Sequence, residues 1–200
     1  MLLLFSAHDS SQEVSFGTGS SYTRWGRSSC PSNGTQMVYS GYTAGTMFNG
    51  KGGGSNYLCM TDEPIWGKHD TGTQEGALLY GTGYEYGARS ELPMFNRNLD
   101  EYNTPCAVCQ TRRSINIMIP GRNKCTDGWT LEYHGYLFAG RSTNTGSSQF
   151  ICVDVEPGIV GLSNRKSDQS LLFIAEVRCG TLPCPPYNDG WEPTCVVCSK

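Results

Sequence analysis

Cys106-Ala107-Val108-Cys109 returns near the end of the chain as Cys195-Val196-Val197-Cys198, and what precedes the first quartet precedes the second in the same order. Gly26-Arg27, Cys30, Gly34, Tyr39, Gly41-Tyr42, Tyr57-Leu58-Cys59, Glu63-Pro64 and Leu78-Leu79-Tyr80 come first. After residue 120 they are answered by Gly121-Arg122, Cys125, Gly128, Tyr133, Gly135-Tyr136, Phe150-Ile151-Cys152, Glu156-Pro157 and Leu171-Leu172-Phe173. Gly34 to Tyr39 matches Gly128 to Tyr133 without a gap. A period this long exceeds that of a solenoid and implies a duplicated unit whose two copies pack together. The reading is an all-β, disulfide-rich chain of two pseudo-twofold-related subdomains, with little or no helix: residues 1–20 as a tail, 21–112 as the first copy and 113–200 as the second.

Composition agrees with this. The 200 residues are 38% hydrophobic, low for a globular chain, and include 25 glycines. Each copy is short enough that burial alone leaves a small stability margin, so covalent staples become useful. Ten cysteines can supply them, and their even number argues for disulfides and a secreted, extracellular setting. Asn33-Gly34-Thr35 is an N-glycosylation sequon, with Asn33 as acceptor. Met1 to Ala7 reads either as the stump of a signal sequence or as an ordinary apolar tail. No other apolar run approaches the length of a membrane span. With 15 basic and 18 acidic residues there is no basic stripe, which argues against nucleic acid as a partner. A charged fraction of only 16% suits a protein that packs against copies of itself, or equally a surface kept soluble by hydroxyls and amides.

Secondary structure reads as strand and turn throughout. Ser114 to Pro120 places Ile115, Ile117 and Ile119 on one face at period two, the pattern of a half-buried strand. Leu171 to Arg178 is the best candidate for a central strand. Its counterpart, Ala77 to Tyr80, runs into Gly81-Thr82-Gly83, where a break or bulge is expected.

The two Cys-x-x-Cys quartets invite comparison with a tetrathiolate zinc site. Ala107-Val108 and Val196-Val197 favour extended backbone instead, in which residues i and i+3 face opposite sides. Each quartet then reaches two different neighbours through disulfides. If the copies are equivalent, Cys30, Cys59, Cys106 and Cys109 pair among themselves, as do Cys125, Cys152, Cys195 and Cys198. Within a copy, first with fourth and second with third, or first with third and second with fourth, both remain open. Cys179 and Cys184 have no counterparts and are expected to pair with each other.

Signals for catalysis are sparse. His8, His69 and His134 have no metal-ligand spacing, and Glu63-Pro64 and Glu156-Pro157 read as turns before they read as paired carboxylates. No cofactor is expected. The aromatics carry more: Tyr42, Trp66, Tyr84, Tyr86, Tyr136 and Trp191 are candidates for an interface or for stacking on sugars.

Four further stretches carry a resemblance: Tyr22-Thr23-Arg24-Trp25-Gly26-Arg27-Ser28-Ser29-Cys30-Pro31; Ile119-Pro120-Gly121-Arg122-Asn123-Lys124-Cys125; Gly128-Trp129-Thr130-Leu131-Glu132-Tyr133 with Gly135-Tyr136-Leu137; and Arg178-Cys179-Gly180-Thr181-Leu182-Pro183-Cys184-Pro185-Pro186-Tyr187 with the final quartet. Over residues 20 to 200 the chain resembles the C-terminal non-collagenous domain of invertebrate short-chain, spongin-type collagens and related collagen-free proteins of sponges, cnidarians and bivalves. The resemblance implies a secreted matrix protein, more loosely a globular unit of byssus-like threads, and supplies no catalytic residue. The chain has no Gly-X-Y repeat, so a triple helix cannot set its oligomer state. Two functions are therefore expected to compete: a non-enzymatic matrix or fibre protein that self-associates, and a secreted lectin-like glycan binder. Other matrix proteins and glycans are the remaining candidate partners.

Overall fold

The computed structural model describes residues 19–74, 76–89, 91–161 and 169–200. The apolar start, Met1 to Ala7, and His8 lie outside these. Ten strands and no helix are found among the described residues: β1 (Ser20–Trp25), β2 (Thr35–Gly45), β3 (Leu58–Thr61), β4 (Tyr80–Tyr84), β5 (Pro105–Thr111), β6 (Asn116–Pro120), β7 (Thr130–Ala139), β8 (Ile151–Asp154), β9 (Ser170–Ile174) and β10 (Thr194–Ser199). Their pairing runs β7-β8-β1-β5-β2-β4-β9 and returns to β7, a closed seven-stranded barrel. The other three strands are additions: β10 and then β6 beside β7, and β3 beside β2.

The first five strands pair among themselves as the last five do. β5 lies between β1 and β2, and β10 between β6 and β7. β2 also pairs with β3 and β4, and β7 with β8 and β9. The irregularities agree too. One extra residue bulges from β2 at Val38 and one from β7 at Glu132. Gly41 and Gly135 sit where a Cβ would come within 1.8 Å of the Met60 carbonyl oxygen and 1.7 Å of the Val153 carbonyl oxygen, so only glycine lets β3 and β8 close on their neighbours. Gly26 and Gly121 both turn with positive φ, 85° and 77°, a conformation that a side chain disfavours.

The halves do not form separate sheets. Parallel pairings of β1 with β8 and of β4 with β9 cross between them, and the larger core holds Tyr57, Tyr84 and Leu99 of the first half with Phe138, Val153 and Leu172 of the second. A smaller core around Cys109, Tyr133, Cys152 and Cys195 also draws on both.

Both quartets occupy central strands. β5 and β10 are almost wholly buried, with Cys106, Cys109, Cys195 and Cys198 fully enclosed. Cys109 bonds Cys30 and Cys106 bonds Cys59; Cys198 bonds Cys125 and Cys195 bonds Cys152. The first-with-fourth, second-with-third pattern is thus the one adopted, in both halves: three-residue spacing on a strand sends the two sulfurs of each quartet to opposite sides, and the elements that flank β5 and β10 decide which sulfur meets which partner. Cys179 and Cys184 pair with each other. With every cysteine in a disulfide, no thiolate remains for a metal.

Two strands differ from expectation. β4 begins at Tyr80 and runs through Gly81 and Gly83, so the strand lies where a break is expected, and Leu78 and Leu79 before it are half exposed. Gly83 has Gln169 against it, close packing that a side chain would crowd. β9 is central as expected, held between β4 and β7, but ends at Ile174 rather than Arg178.

The disulfides rank by the loops they close. Cys30 and Cys109 are 79 residues apart, Cys179 and Cys184 only 5. Replacing the first pair with alanine should cost about 4 kcal/mol and the second about 2 kcal/mol in the chain-entropy description, read from urea midpoints at equal m-value.

Candidate functional site

The seam between the halves is built on the bulge at Glu132. A bulge re-aims a side chain, and here it turns a carboxylate away from solvent until the Glu132 side chain is wholly buried. Burial opposes its charge, yet donors reach it from four parts of the chain. Tyr22 on β1 donates its hydroxyl at 2.7 Å, Thr35 at the start of β2 at 3.0 Å, and Asn33 its amide at 3.2 Å. Arg113, in the β5–β6 link, approaches at 2.6 Å, and Ser199 of β10 donates to the same oxygen as Arg113. Against the desolvation, hydrogen bonds from Ser199, Arg113, Tyr22 and Asn33 hold the carboxyl below its ordinary pKa.

A second polar pair lies along the same seam. Arg24 of β1 donates from Nε to Asp154 of β8 at 2.8 Å, and both side chains are largely buried. The Arg24 guanidinium also stands 5.9 Å from the ring centre of Tyr133, whose hydroxyl bridges the carbonyls of Thr23 and Cys152. Tyr22 and Tyr133 stack at 6.2 Å. The seam closes with backbone pairing of Trp25 to Val153 and a bond from Gly158 N–H to Gly26 O at 2.6 Å.

The corresponding surfaces elsewhere are open. Among the described residues β3 pairs only with β2 and β6 only with β10, so each presents one edge without a strand partner; that of β6 begins beside β1, where Asn116 donates its side-chain amide to Ser21 O at 2.9 Å. Both edges are apolar: Leu58 and Met60 on β3, Met37 and Val38 on the stretch of β2 that precedes its pairing with β3, and Ile115 and Ile117 at β6 are all about half exposed. The isoleucine face expected to be half buried is thus turned largely outward at Ile115 and Ile117, while Met118 between Ile117 and Ile119 packs on the smaller core. Beyond β3, Ile65 is 98% exposed and Trp66 78%.

A groove of about 480 Å³ lies over the β7–β9 contact, where Phe150, Phe173, Arg141 and Arg89 meet Glu85 and Glu176. Arg141 stands 5.8 Å over the Phe173 ring, and Arg89 pairs with Glu176 and Glu192.

The candidate aromatics divide. Tyr42, Trp66 and Trp191 are exposed and available for contact. Tyr84 and Tyr86 are not surface residues. They are 1% and 6% exposed, in the barrel core, where Tyr84 donates to Gly158 O and the Tyr86 hydroxyl accepts from Leu99 N–H. Gly83, beside Tyr84, lies within β4 under Gln169, and Gly87, beside Tyr86, turns the chain after it with a φ of 67°, so neither glycine signals exposure. Tyr136 is half buried, edge-on to Phe95 at 5.7 Å. Asn33 has its amide nitrogen engaged by both Leu131 O and Glu132, so the glycosylation candidate serves the seam in the folded chain. His69 is an exposed loop residue bonding Gly67 O, and His134 lies on β7 opposite Val196. The Glu156 side chain is 77% exposed at a turn, and Glu63 is exposed as well.

Glu132, Arg113 and Arg24 escape a reading of motifs, although a signal for the first is present: within the matched stretch Gly34–Tyr39 and Gly128–Tyr133, Val38 stands against Glu132. No group of three or more metal-ligating side chains is gathered among the described residues. No helix there is long and apolar enough to cross a membrane. No family model matches the chain.

Glu132→Gln should lower stability by about 3 kcal/mol at pH 7, since it leaves Arg113 without its anion. Because the folded carboxyl titrates below the unfolded value of about 4.3, its contribution is present above that pH and is lost as pH falls through the folded pKa. The gap between wild type and variant in urea midpoint should therefore narrow toward pH 3; an unchanged gap would show that the carboxylate is not held charged. At the other extreme, burial above all raises the hydroxyl pKa of Tyr22, Tyr84 and Tyr133. Their contribution is intact below about pH 10 and declines above it. In ultraviolet titration these three should ionise only as the chain unfolds.

Proposed function

We propose that the chain is a secreted, non-enzymatic structural protein of an extracellular matrix or fibre, acting by self-association of its globular units. The observation that carries this reading is the pair of bare, apolar strand edges on β3 and β6, with Ile65 and Trp66 standing clear beside one of them. Bare edges are templates for further strands, and proteins that must stay apart cover or charge them. Val38, Ile115 and Ile117 do neither. Five disulfides fit an oxidising, extracellular setting, and the low charge density leaves little repulsion between copies. Two unlike edges make a heterologous contact, which builds a ring or an open filament. The resemblance to short-chain collagen domains, and through it to byssus-like material, points the same way.

The groove over the β7–β9 contact favours a second reading, glycan binding, because exposed Phe150 offers a ring face beside the polar arms of Arg141, Arg89 and Glu85. Sedimentation and electron microscopy of the purified protein over a wide concentration range separate the two. The structural reading expects oligomers or filaments that grow with concentration. A dispersed monomer at every concentration, together with selective signals on a glycan array, would overturn it in favour of the lectin.

A further inference from the structure

We infer that the bare edge of β6 pairs with the bare edge of β3 on a second copy of this chain, repeating between molecules the β1–β8 seam that each molecule already contains. The inference rests on the self-association reading and names the surfaces that carry it.

The repeated sequence sets the correspondence. β1 answers to β6 and β8 to β3, and their neighbours are arranged alike: β1 lies against β5 as β6 lies against β10, and β8 against β7 as β3 against β2. The difference is that the outer edges of β1 and β8 pair with each other, whereas those of β6 and β3 pair with no strand among the described residues, although Asn116 at the start of β6 donates its side-chain amide to Ser21 O of β1 at 2.9 Å. Under this correspondence the backbone pair Trp25–Val153 becomes Pro120–Met60, and the bond from Gly158 N–H to Gly26 O becomes Ile65 N–H to Gly121 O. Pro120 has no N–H to give, but the carbonyl it would serve on the seam's pattern, Cys59 O, already accepts the Tyr39 hydroxyl at 3.0 Å, as Cys152 O accepts that of Tyr133.

The side chains then decide what covers the edges. In the closed seam Tyr22 meets Glu132 and Arg24 meets Asp154. At the corresponding positions Tyr22 becomes Ile117 and Glu132 becomes Val38, while Arg24 becomes Ile119 and Asp154 becomes Thr61. Both members of the first pair have turned apolar together. In the second pair both charges are gone. A surface left in water has no reason to exchange its polar groups in matched pairs, whereas two surfaces that bury one another must, because a lone polar partner would be desolvated without a bond. The loop beyond β3 behaves likewise. Trp66 is 78% exposed, but its counterpart Ile159 packs on the barrel core. A neighbouring copy on β3 would cover Trp66 as the molecule's own strands cover Ile159.

Two full-length variants test this, Ile117→Arg and Val38→Glu, each at a half-exposed position so that the fold is kept, with circular dichroism as the check. Sedimentation velocity should show each variant alone associating roughly ten- to a hundredfold more weakly than wild type. An equimolar mixture should associate again, because the introduced arginine faces the introduced glutamate at one junction while Ile117 and Val38 remain at the other. Two variants that assemble alone as wild type does would overturn this pairing and leave self-association standing. A wild type that stays monomeric at every concentration would overturn both. Amide exchange on dilute wild type adds a third outcome: strong protection along the outer edges of β3 and β6 in the monomer would mean that the chain covers them itself, and would also overturn the pairing.

Discussion

A carboxylate cannot be buried alone, and much of this molecule is arranged around that constraint at Glu132. The bulge in β7 sends its side chain inward, and the charge must then be met by donors. They come from β1, from the turn before β2, from the link between the halves and from the last strand, through Tyr22, Asn33, Thr35, Arg113 and Ser199. The segments that satisfy one anion are therefore those that must come together for the barrel to close. Arg24 with Asp154 repeats the logic a short way along the seam. Networks of this kind specify one arrangement of the halves against others that would bury comparable apolar area, since any slip leaves a charge unmatched.

The same bulge occurs at Val38, where no charge is present. One local geometry thus serves two surfaces of opposite character, one closed and polar, the other bare and apolar. The disulfides make this double use workable. By tying β5 and β10 to strands and turns on either side, they hold each half's framework rigid independently of what lies on its outer edge. An edge held this firmly can be left uncovered without the strand fraying, and association through it then orders little additional backbone, which lowers the entropic cost of binding.

How much could be read beforehand varied with how local the cause was. The quartets at Cys106–Cys109 and Cys195–Cys198 announced strands, because alanine and valine between cysteines favour extended backbone and three-residue spacing sends the sulfurs apart. The choice between the two pairings needed the neighbours of β5 and β10, which no local pattern encodes. Ile115, Ile117 and Ile119 marked a strand face correctly, yet period two cannot say whether that face looks into the core or out of it. Tyr84 and Tyr86 looked like contact residues beside glycine and proved to be core, since burial is decided by what packs across the barrel. Glu132 was visible only as a mismatch with Val38.

Most strands, the turns and the set of cysteines that staples each half were already written in the order of residues, because they follow from backbone preference, glycine geometry and the spacing of cysteines; the pairing within each set was not. Which edges close and which stay bare was settled in three dimensions alone. That choice depends on groups far apart in the chain, Tyr22 with Glu132 and Arg24 with Asp154, whose complementarity exists only once the two halves are in contact.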